Sequence, residues 1–228
     1  MESSFGCNQL LSKLPEAERE ILQRHAEYVS LPRGATLVRP GERFTSVYFP
    51  ASGVISIVST AETGRQCQVA AVGSEGLLGI GTILNMQPSP YWYMAQLDTG
   101  GYRLSEQRFQ KAFLELPVLR RETLRYAGRI LLRTGRDAMC NRFHSHDQRV
   151  ARWLLEIADK SGQCRLAVTH DDIAQMTGGA RHAVTDALSE LRRAGAIEYG
   201  RGRVSIIDRN RLLSHACDCC MPTGSTEP

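Results

Sequence analysis

The chain has 228 residues, of which 42% are hydrophobic and 23% charged, with a formal net charge of +4. The composition decides nothing by itself, and the length accommodates one large domain or two modest ones, each with its own core. The charge is only mildly basic, so any affinity for nucleic acid has to come from local clustering rather than from the overall field.

No apolar stretch reaches the length needed to span a membrane, and the N-terminus, with Glu2 and no apolar core, does not read as a secretory signal. A cytoplasmic protein without membrane association is expected. The seven cysteines, at 7, 67, 140, 164, 217, 219 and 220, are odd in number and scattered, which fits reduced thiols better than a disulfide framework.

Along the chain, residues 8–30 read as helical, with Leu10, Leu11 and Leu14 before Pro15 and with Ile21 and Leu22 beyond it. From Arg33 to Leu104 the period shortens to that of strands, and glycines punctuate short apolar runs. This segment is expected to form a compact all-β unit. Helical spacing returns at Ser105 and, after Pro117, persists for some 25 residues. There Leu124, Ala127, Leu131 and Ala138 make one stripe, with Leu119, Tyr126 and Ile130 close by and arginines at 120, 121, 125, 129, 133 and 136 on the other faces. A long helix with a narrow apolar seam and charged flanks asks for a partner helix, which a second copy would supply. The alternative is that the seam packs only on the chain's own β-unit.

The segment from 169 to 207 is the most informative. Thr169 is placed to cap a short helix, with Asp172 three residues on as its reciprocal partner. Ile173 and Met176 face inward, and Thr177-Gly178-Gly179 permits a sharp change of direction. A second helix begins near Ala180. Its apolar set is Val184, Ala187, Leu188 and Leu191, which leaves Arg181, His182, Thr185, Ser189 and Arg192 on or near the opposite face. After Gly195, Ile197 and Tyr199 alternate with polar residues, Gly200 to Arg203 turn the chain, and Val204, Ile206 and Ile207 return. Between 180 and 211 there are seven arginines against four acidic residues, a local basic excess that a dimer would double. Helix, turn, helix and hairpin in this order make a winged helix-turn-helix.

On these residues the C-terminal part resembles the DNA-binding domain of the Crp/Fnr family of bacterial transcription regulators, and the resemblance extends upstream. Leu31-Pro32-Arg33-Gly34, Pro40-Gly41-Glu42, Ser46 to Phe49, Gly53 to Ser56 and Val72 to Gly79 are similar to that family's cyclic-nucleotide-binding-type β-roll. The resemblance implies an α+β protein. It would comprise a jelly-roll-like sensory β-roll over 1–116, a dimerisation helix over 117–142, a winged helix-turn-helix over 143–213 and a cysteine-bearing tail over 214–228. The implied partners are double-stranded DNA, a second copy of the chain on a near-palindromic operator and, for an activator, RNA polymerase. In the mechanism so implied, a change in the β-roll, driven by an effector or by redox state, tilts the long helices and resets the spacing of the recognition helices.

The candidate DNA-binding residues are Thr169, Ala180, Arg181, His182, Thr185, Asp186, Ser189, Arg192, Arg201 and Arg203. Arg181 stands where the family's guanine-reading arginine lies, and a guanidinium can form two parallel hydrogen bonds to a guanine edge. His182 and Asp186 depart from the family's usual Glu and Arg, so the half-site cannot be borrowed. Arg201 and Arg203 suit phosphate contact better than base reading. The residues expected on the dimer helix are Leu119, Leu124, Tyr126, Ala127, Ile130 and Leu131.

For an effector pocket the candidates are Ser74, Glu75, Gly76, Gly79 and Ser89, although Ser74, Glu75 and the glycines better suit the shaping of a turn. Cyclic AMP is disfavoured, because Ile80 stands at the ribose acid's place and no arginine lies between Arg65 and Arg103 to meet a phosphate. The cluster Tyr91-Trp92-Tyr93 suits either stacking on a flat ligand or a core position. An iron-sulfur cluster of the family's N-terminal type is disfavoured by the lone Cys7.

No cofactor and no metal site are assigned. The tail His215-Ala216-Cys217-Asp218-Cys219-Cys220 is expected to be a plain surface tail, ahead of thiol oxidation or metal binding, and His144 and His146 to serve as a hinge or cap ahead of binding a metal. The chain lacks a nucleophile elbow, a phosphate loop and a His-Glu-x-x-His motif, so an enzyme is not expected. The competing reading is a ligand-binding or scaffolding protein whose helix-turn-helix docks protein rather than DNA.

Overall fold

Asn8 is fully buried, and all of its hydrogen-bonding capacity is used. Its Oδ1 accepts from the backbone N–H groups of Leu10 and Leu11 at 3.0 and 3.1 Å, while Nδ2 donates to the carbonyls of Pro50 and Gly76 at 2.9 and 2.8 Å. It thereby caps α1 (Gln9–Ser12), which is followed by α2 (Glu16–Gln23). The computed structural model describes residues 5–220. It divides into a first unit, the chain up to Thr60 with Val69–Leu131, and a second, Ala61–Gln68 with the chain from Leu132.

In the first unit the helical reading of 8–30 holds only in part. Glu27–Leu31 is strand β1, paired antiparallel with β7 so that Tyr28 faces Tyr102 and Val29 faces Gly101. Tyr and Val suit a pleated surface better than a helix, and the cross-strand partner lies some 70 residues away, beyond the reach of local periodicity. The remaining strands of the β-region are β2 (Thr36–Val38), β3 (Ser46–Ser52), β4 (Ile55–Thr60), β5 (Gln66–Val72), β6 (Trp92–Ala95) and β7 (Thr99–Ser105). They form two antiparallel sheets, in the orders β1-β7-β3 and β2-β6-β4-β5. Register places Val47 opposite Leu104 and Ile57 opposite Tyr93, and the fully buried Val47, Phe49 and Ile55 join Phe109 in one core.

Ser105 caps α3 (Glu106–Glu115), accepting from the N–H of Arg108. Next comes α4 (Pro117–Phe143), of 27 residues. Proline at its first position suits a helix start, and the open N–H groups that follow are met from outside the helix. The buried carboxylate of Glu18 on α2 accepts from Val118 N at 3.0 Å and from Leu119 N at 2.8 Å. An anion at a helix N-terminus is stabilised both by these N–H groups and by the helix dipole.

Two apolar faces run along α4. At 100° per residue, Leu119, Tyr126 and Ile130 share one face, and Leu124, Leu131 and Ala138 lie roughly 120° around from it. Leu119 and Tyr126, expected beside the dimer seam, are buried in the first unit's own core, with Ile130 packed on it. Leu124 and Leu131 are exposed, Leu131 at 74%, and Ala127 is half-buried. Gly128 and Gly135 lie near the same exposed face, with nothing within 4 Å of the place a Cβ would occupy.

The second unit contains α5 (His146–Ser161), β8 (Arg165–Leu166), α6 (His170–Thr177), α7 (Arg181–Arg193), β9 (Ile197–Gly200), β10 (Arg203–Ile206) and α8 (Arg209–His215). The three strands form a sheet in the order β8-β10-β9. Ser145 and Gln148 close a capping box on α5, whose Val150, Leu154 and Ile157 are buried beneath the helix pair. The expected surface tail is described as far as Cys220, and there it packs back onto the unit; residues 221–228 lie outside the described residues. Cys217 and Cys219 are buried beside Cys140 of α4, a pairing across 77 residues that no local pattern announces. Among the described residues no helix is long and apolar enough to cross a membrane.

Gly76 tests the packing of the first unit. A Cβ built there would overlap the Tyr126 ring, so Gly76→Ala is expected to lower stability by about 1–3 kcal/mol in chemical unfolding. Gly128→Ala, on the same helix as Tyr126, meets nothing of this chain within 4 Å and should leave the first unit's internal packing undisturbed.

Candidate nucleic-acid interface

The helix-turn-helix starts from a cap. Thr169 accepts from Asp172 N at 3.1 Å, and the Asp172 carboxylate accepts from Thr169 N at 2.6 Å and from its hydroxyl at 2.7 Å. The helix ends at Gly178, with φ 69, a left-handed conformation that glycine adopts without steric penalty. Gly179 allows a different kind of closeness. The place its Cβ would take is already filled by His146 Nε2, and that nitrogen is 3.1 Å from Thr177 Oγ1. Arg149 also donates to the carbonyl of Thr177 at 3.3 Å. The first turn of α5 therefore grips the bend between α6 and α7.

Burial lowers the pKa of His146 below the ordinary 6.5, assisted by the charge of Arg149 and opposed by Asp147. Among the described residues its buried Nδ1 finds no hydrogen-bond partner, which further disfavours the doubly protonated ring.

On α7, Val184, Ala187, Leu188 and Leu191 are buried as their spacing predicts. The polar residues divide by what they bond. Thr185 Oγ1 donates to the carbonyl of Arg181 at 3.1 Å, so the contact at 3.0 Å from His170 Nδ1 is one in which the imidazole donates. In the same way Ser189 Oγ donates to the Thr185 carbonyl at 2.8 Å, so Tyr199 is the donor in its 3.0 Å bond with Ser189. Arg192 lies over the Tyr199 ring at 5.0 Å, and His170 meets that ring edge-on. Thr185, Ser189 and Arg192 are thus tied into a network joining α6, α7 and β9. Spacing did not single out His170 and gave Tyr199 no role beyond the hairpin, because that role depends on a strand folding back onto the helix.

Arg181, His182 and Asp186 remain exposed, with Ala180 at the helix's N-cap. Arg181 pairs with Asp171 at 3.3 Å, both side chains about two-thirds exposed, an ion pair weak enough to exchange for a better acceptor. Arg193, not singled out by sequence, is exposed beside Arg192 in the last turn. The hairpin pairs Gly200 with Arg203, leaving Arg201 and Gly202 as its two-residue tip. Both have positive φ, 46 and 74, the mark of the tight turn that matches strand twist. A Cβ built on Gly202 would meet the Thr169 methyl at 3.6 Å, so the wing tip lies near the start of α6.

The effector-pocket candidates have structural bonds. Ser74 O accepts from Gln9 N, Glu75 Oε2 accepts from Gly73 N, Gly76 O accepts from Asn8, and Gly79, at φ 100, lies against Ser46 and Val47. Ser89 is buried and hydrogen-bonds the Tyr93 hydroxyl at 2.7 Å. Tyr93 fills the core edge-on to Phe44, and burial raises its pKa. Of the aromatic cluster it is the core member, while Tyr91 and Trp92 are half-buried.

A two-sheet β-roll, a long helix and a winged helix-turn-helix define the class of protein. The chain matches the cyclic nucleotide-binding domain over residues 28–115 and the Crp-like helix-turn-helix domain over residues 148–214. It belongs to the Crp/Fnr family of transcription regulators. It is 27% identical over 202 residues to the CRP-like cAMP-activated global transcriptional regulator of Mycobacterium tuberculosis, covering 86% of this chain and 90% of that one. To the transcriptional regulator LdrP of Thermus thermophilus it is 26% identical, covering 81% and 94% of the two chains. Its fold is that of a CRP-family transcriptional regulator from Thermus thermophilus, with a TM-score of 0.70 at 22% identity over 82% of this chain and 96% of the other.

Because His146 titrates below the ordinary histidine value, the unfolded chain takes up its proton first as pH falls. Its contribution to stability is present above about pH 6.5 and is lost as pH drops toward the folded-state value. Urea midpoints measured from about pH 7.5 down to 5.5 should fall more steeply for the native chain than for His146→Gln. Gly179→Ala should cost about 1–3 kcal/mol, and part of that loss should vanish in a His146→Ala background.

Proposed function

We propose that the chain is a homodimeric, sequence-specific DNA-binding regulator in which α7 enters the major groove and the wing grips the flanking phosphates. The observation that carries this reading is the division of labour on α7. Thr185, Ser189 and Arg192 are occupied in holding the helix, while Arg181, His182 and Asp186 stand exposed at its N-terminal end, the end that meets base edges in this motif. Arg181 would pair with a guanine, and Arg201 and Arg203 would neutralise phosphates.

The second copy follows from the exposed face of α4. Leu124, Leu131, Leu132, Met139 and Phe143 are all exposed, Phe143 at 75%, on a helix whose opposite face is already buried. Gly128 and Gly135 near this face let a partner backbone approach closely, and two copies related by a two-fold axis would set their recognition helices about 34 Å apart on a near-palindrome. RNA polymerase is the further partner if the bound dimer activates. Regulation by an effector or by redox state is part of this reading. Among Ser74, Glu75, Gly76, Gly79 and Ser89 stands the Glu75 carboxylate, bonded to Gly73 N, and no arginine lies between Arg65 and Arg103, which counts against them as an anion site and so against cyclic AMP.

Selection of bound fragments from a random duplex pool, with and without cell extract, should return a two-fold-symmetric site containing guanine. Arg181→Ala should erase preference at that guanine by about 10–100-fold. Arg201→Ala with Arg203→Ala should weaken binding to all sequences. The same pair should flatten the dependence of affinity on salt by about 0.9 in log–log slope for each phosphate left without its arginine. Binding to a protein but not to DNA, indifferent to Arg181, would make the helix-turn-helix a docking module instead.

A further inference from the structure

Where α4 ends, the second unit gathers soft ligands from two distant parts of the chain. Cys140 lies in the last turn of α4, and His144 N donates to the Cys140 carbonyl at 3.1 Å, so the turn continues one residue past the helix and sets both side chains on one face. From the other direction, the chain leaving α8 places Cys217 directly after its cap and Cys219 in the 3-10 turn Asp218–Cys220. The one ligating atom of each residue lies within 4.8 Å of every other. Cys140 Sγ is 3.4 Å from Cys217 Sγ, and Cys219 Sγ is 3.6 Å from His144 Nδ1. Around a tetrahedral centre two sulfurs at about 2.3 Å lie about 3.8 Å apart and a sulfur and a nitrogen about 3.5 Å apart, so the Cys219–His144 contact already has the required spacing and the two sulfurs need part by only about 0.4 Å.

We propose that Cys140, His144, Cys217 and Cys219 form a four-ligand site for a thiophilic divalent cation, zinc in the first instance. Three sulfurs and one imidazole nitrogen are the donor set of closed, structural zinc sites. The imidazole is oriented for this role. Its Nε2 faces the Asp218 carboxylate at 3.2 Å, which holds the proton on Nε2 and leaves the Nδ1 lone pair directed at the sulfurs. The three thiols are buried together as one cluster. A disulfide between Cys140 and Cys217 would engage one of these contacts and leave the Cys219, His144 and Asp218 arrangement without a purpose. The site needs neither Cys67 nor Cys164, which are exposed elsewhere.

The consequence is a staple. A metal held by residues 140 and 144 on one side and by 217 and 219 on the other closes the chain around α5, the helix-turn-helix and the wing, so loss of the ion should loosen the whole second unit.

The full chain, produced in zinc-supplemented medium, reduced and desalted, should carry about one tightly held zinc by elemental analysis. Replacing that zinc with cobalt(II) should give the intense visible bands of a tetrahedral site together with sulfur-to-cobalt charge transfer, a readout that needs no variant. Cys217→Ser, Cys219→Ser and His144→Ala should each lose or markedly weaken the bound metal, Cys67→Ser and Cys164→Ser should not, and a strong chelator should lower the thermal midpoint of the native chain. The proposal is overturned if the reduced chain binds cobalt without tetrahedral thiolate bands, or if metal retention follows Cys220 in place of Cys219. It is equally overturned if peptide mapping finds Cys140 joined to Cys217 in a metal-free native protein. None of these outcomes bears on whether α7 reads DNA.

Discussion

Two helices can read a groove only if the bend between them is fixed, and in this chain the bend rests on one imidazole pressed against a glycine. Gly178 supplies the left-handed residue that ends α6, and Gly179 leaves the space that the His146 ring occupies while it hydrogen-bonds Thr177. The rest of the interface builds outward from this contact. Because α6 and α7 hold their angle, His170 reaches Thr185, Tyr199 reaches Ser189, and Arg192 can settle over the Tyr199 ring. Polar groups bonded in this way order the helix, while Arg181, His182 and Asp186 stand exposed in its first half and Arg192 and Arg193 in its last turn.

The parts of this architecture that sequence made legible are the ones governed by short-range rules. The Thr169–Asp172 cap, the glycine break, the inward set Val184, Ala187, Leu188 and Leu191, and the hairpin after Gly195 all follow from spacings of four residues or fewer, and the structure has each of them. The rest was illegible for a physical reason. Glu27–Leu31 is a strand because β7, far along the chain, pairs with it, and Leu119 and Tyr126 are core because the β-unit lies against them. Periodicity registers that a face is apolar and does not say what will cover it. The cysteines show the same limit. Cys140 and Cys217 read as unrelated thiols until α4 and α8 end at the same place.

Within α4 these two kinds of information sit side by side. Its first turns are anchored by Glu18, whose carboxylate takes the place of the side-chain cap that Leu116 cannot provide. With the start of the helix held, the direction of every later residue is set by the 3.6-residue turn. Tyr126 is thereby directed inward over Gly76, and Leu124 and Leu131 outward. One helix can then serve an internal core along one face and offer an apolar seam along another, provided its register does not slip.

The wing tip shows where local backbone preference and the needs of a ligand part company. Arg201 sits at φ 46, where an L-residue with a Cβ is disfavoured by about 1 kcal/mol and where asparagine or glycine would rest more easily. A guanidinium held in that conformation is pointed by the turn itself rather than by packing, since its own side chain is exposed. If Arg201 meets a phosphate as proposed, the hairpin is a compromise between foldability and grip: relaxing the tip would leave a sturdier loop with one fewer positive charge at its apex.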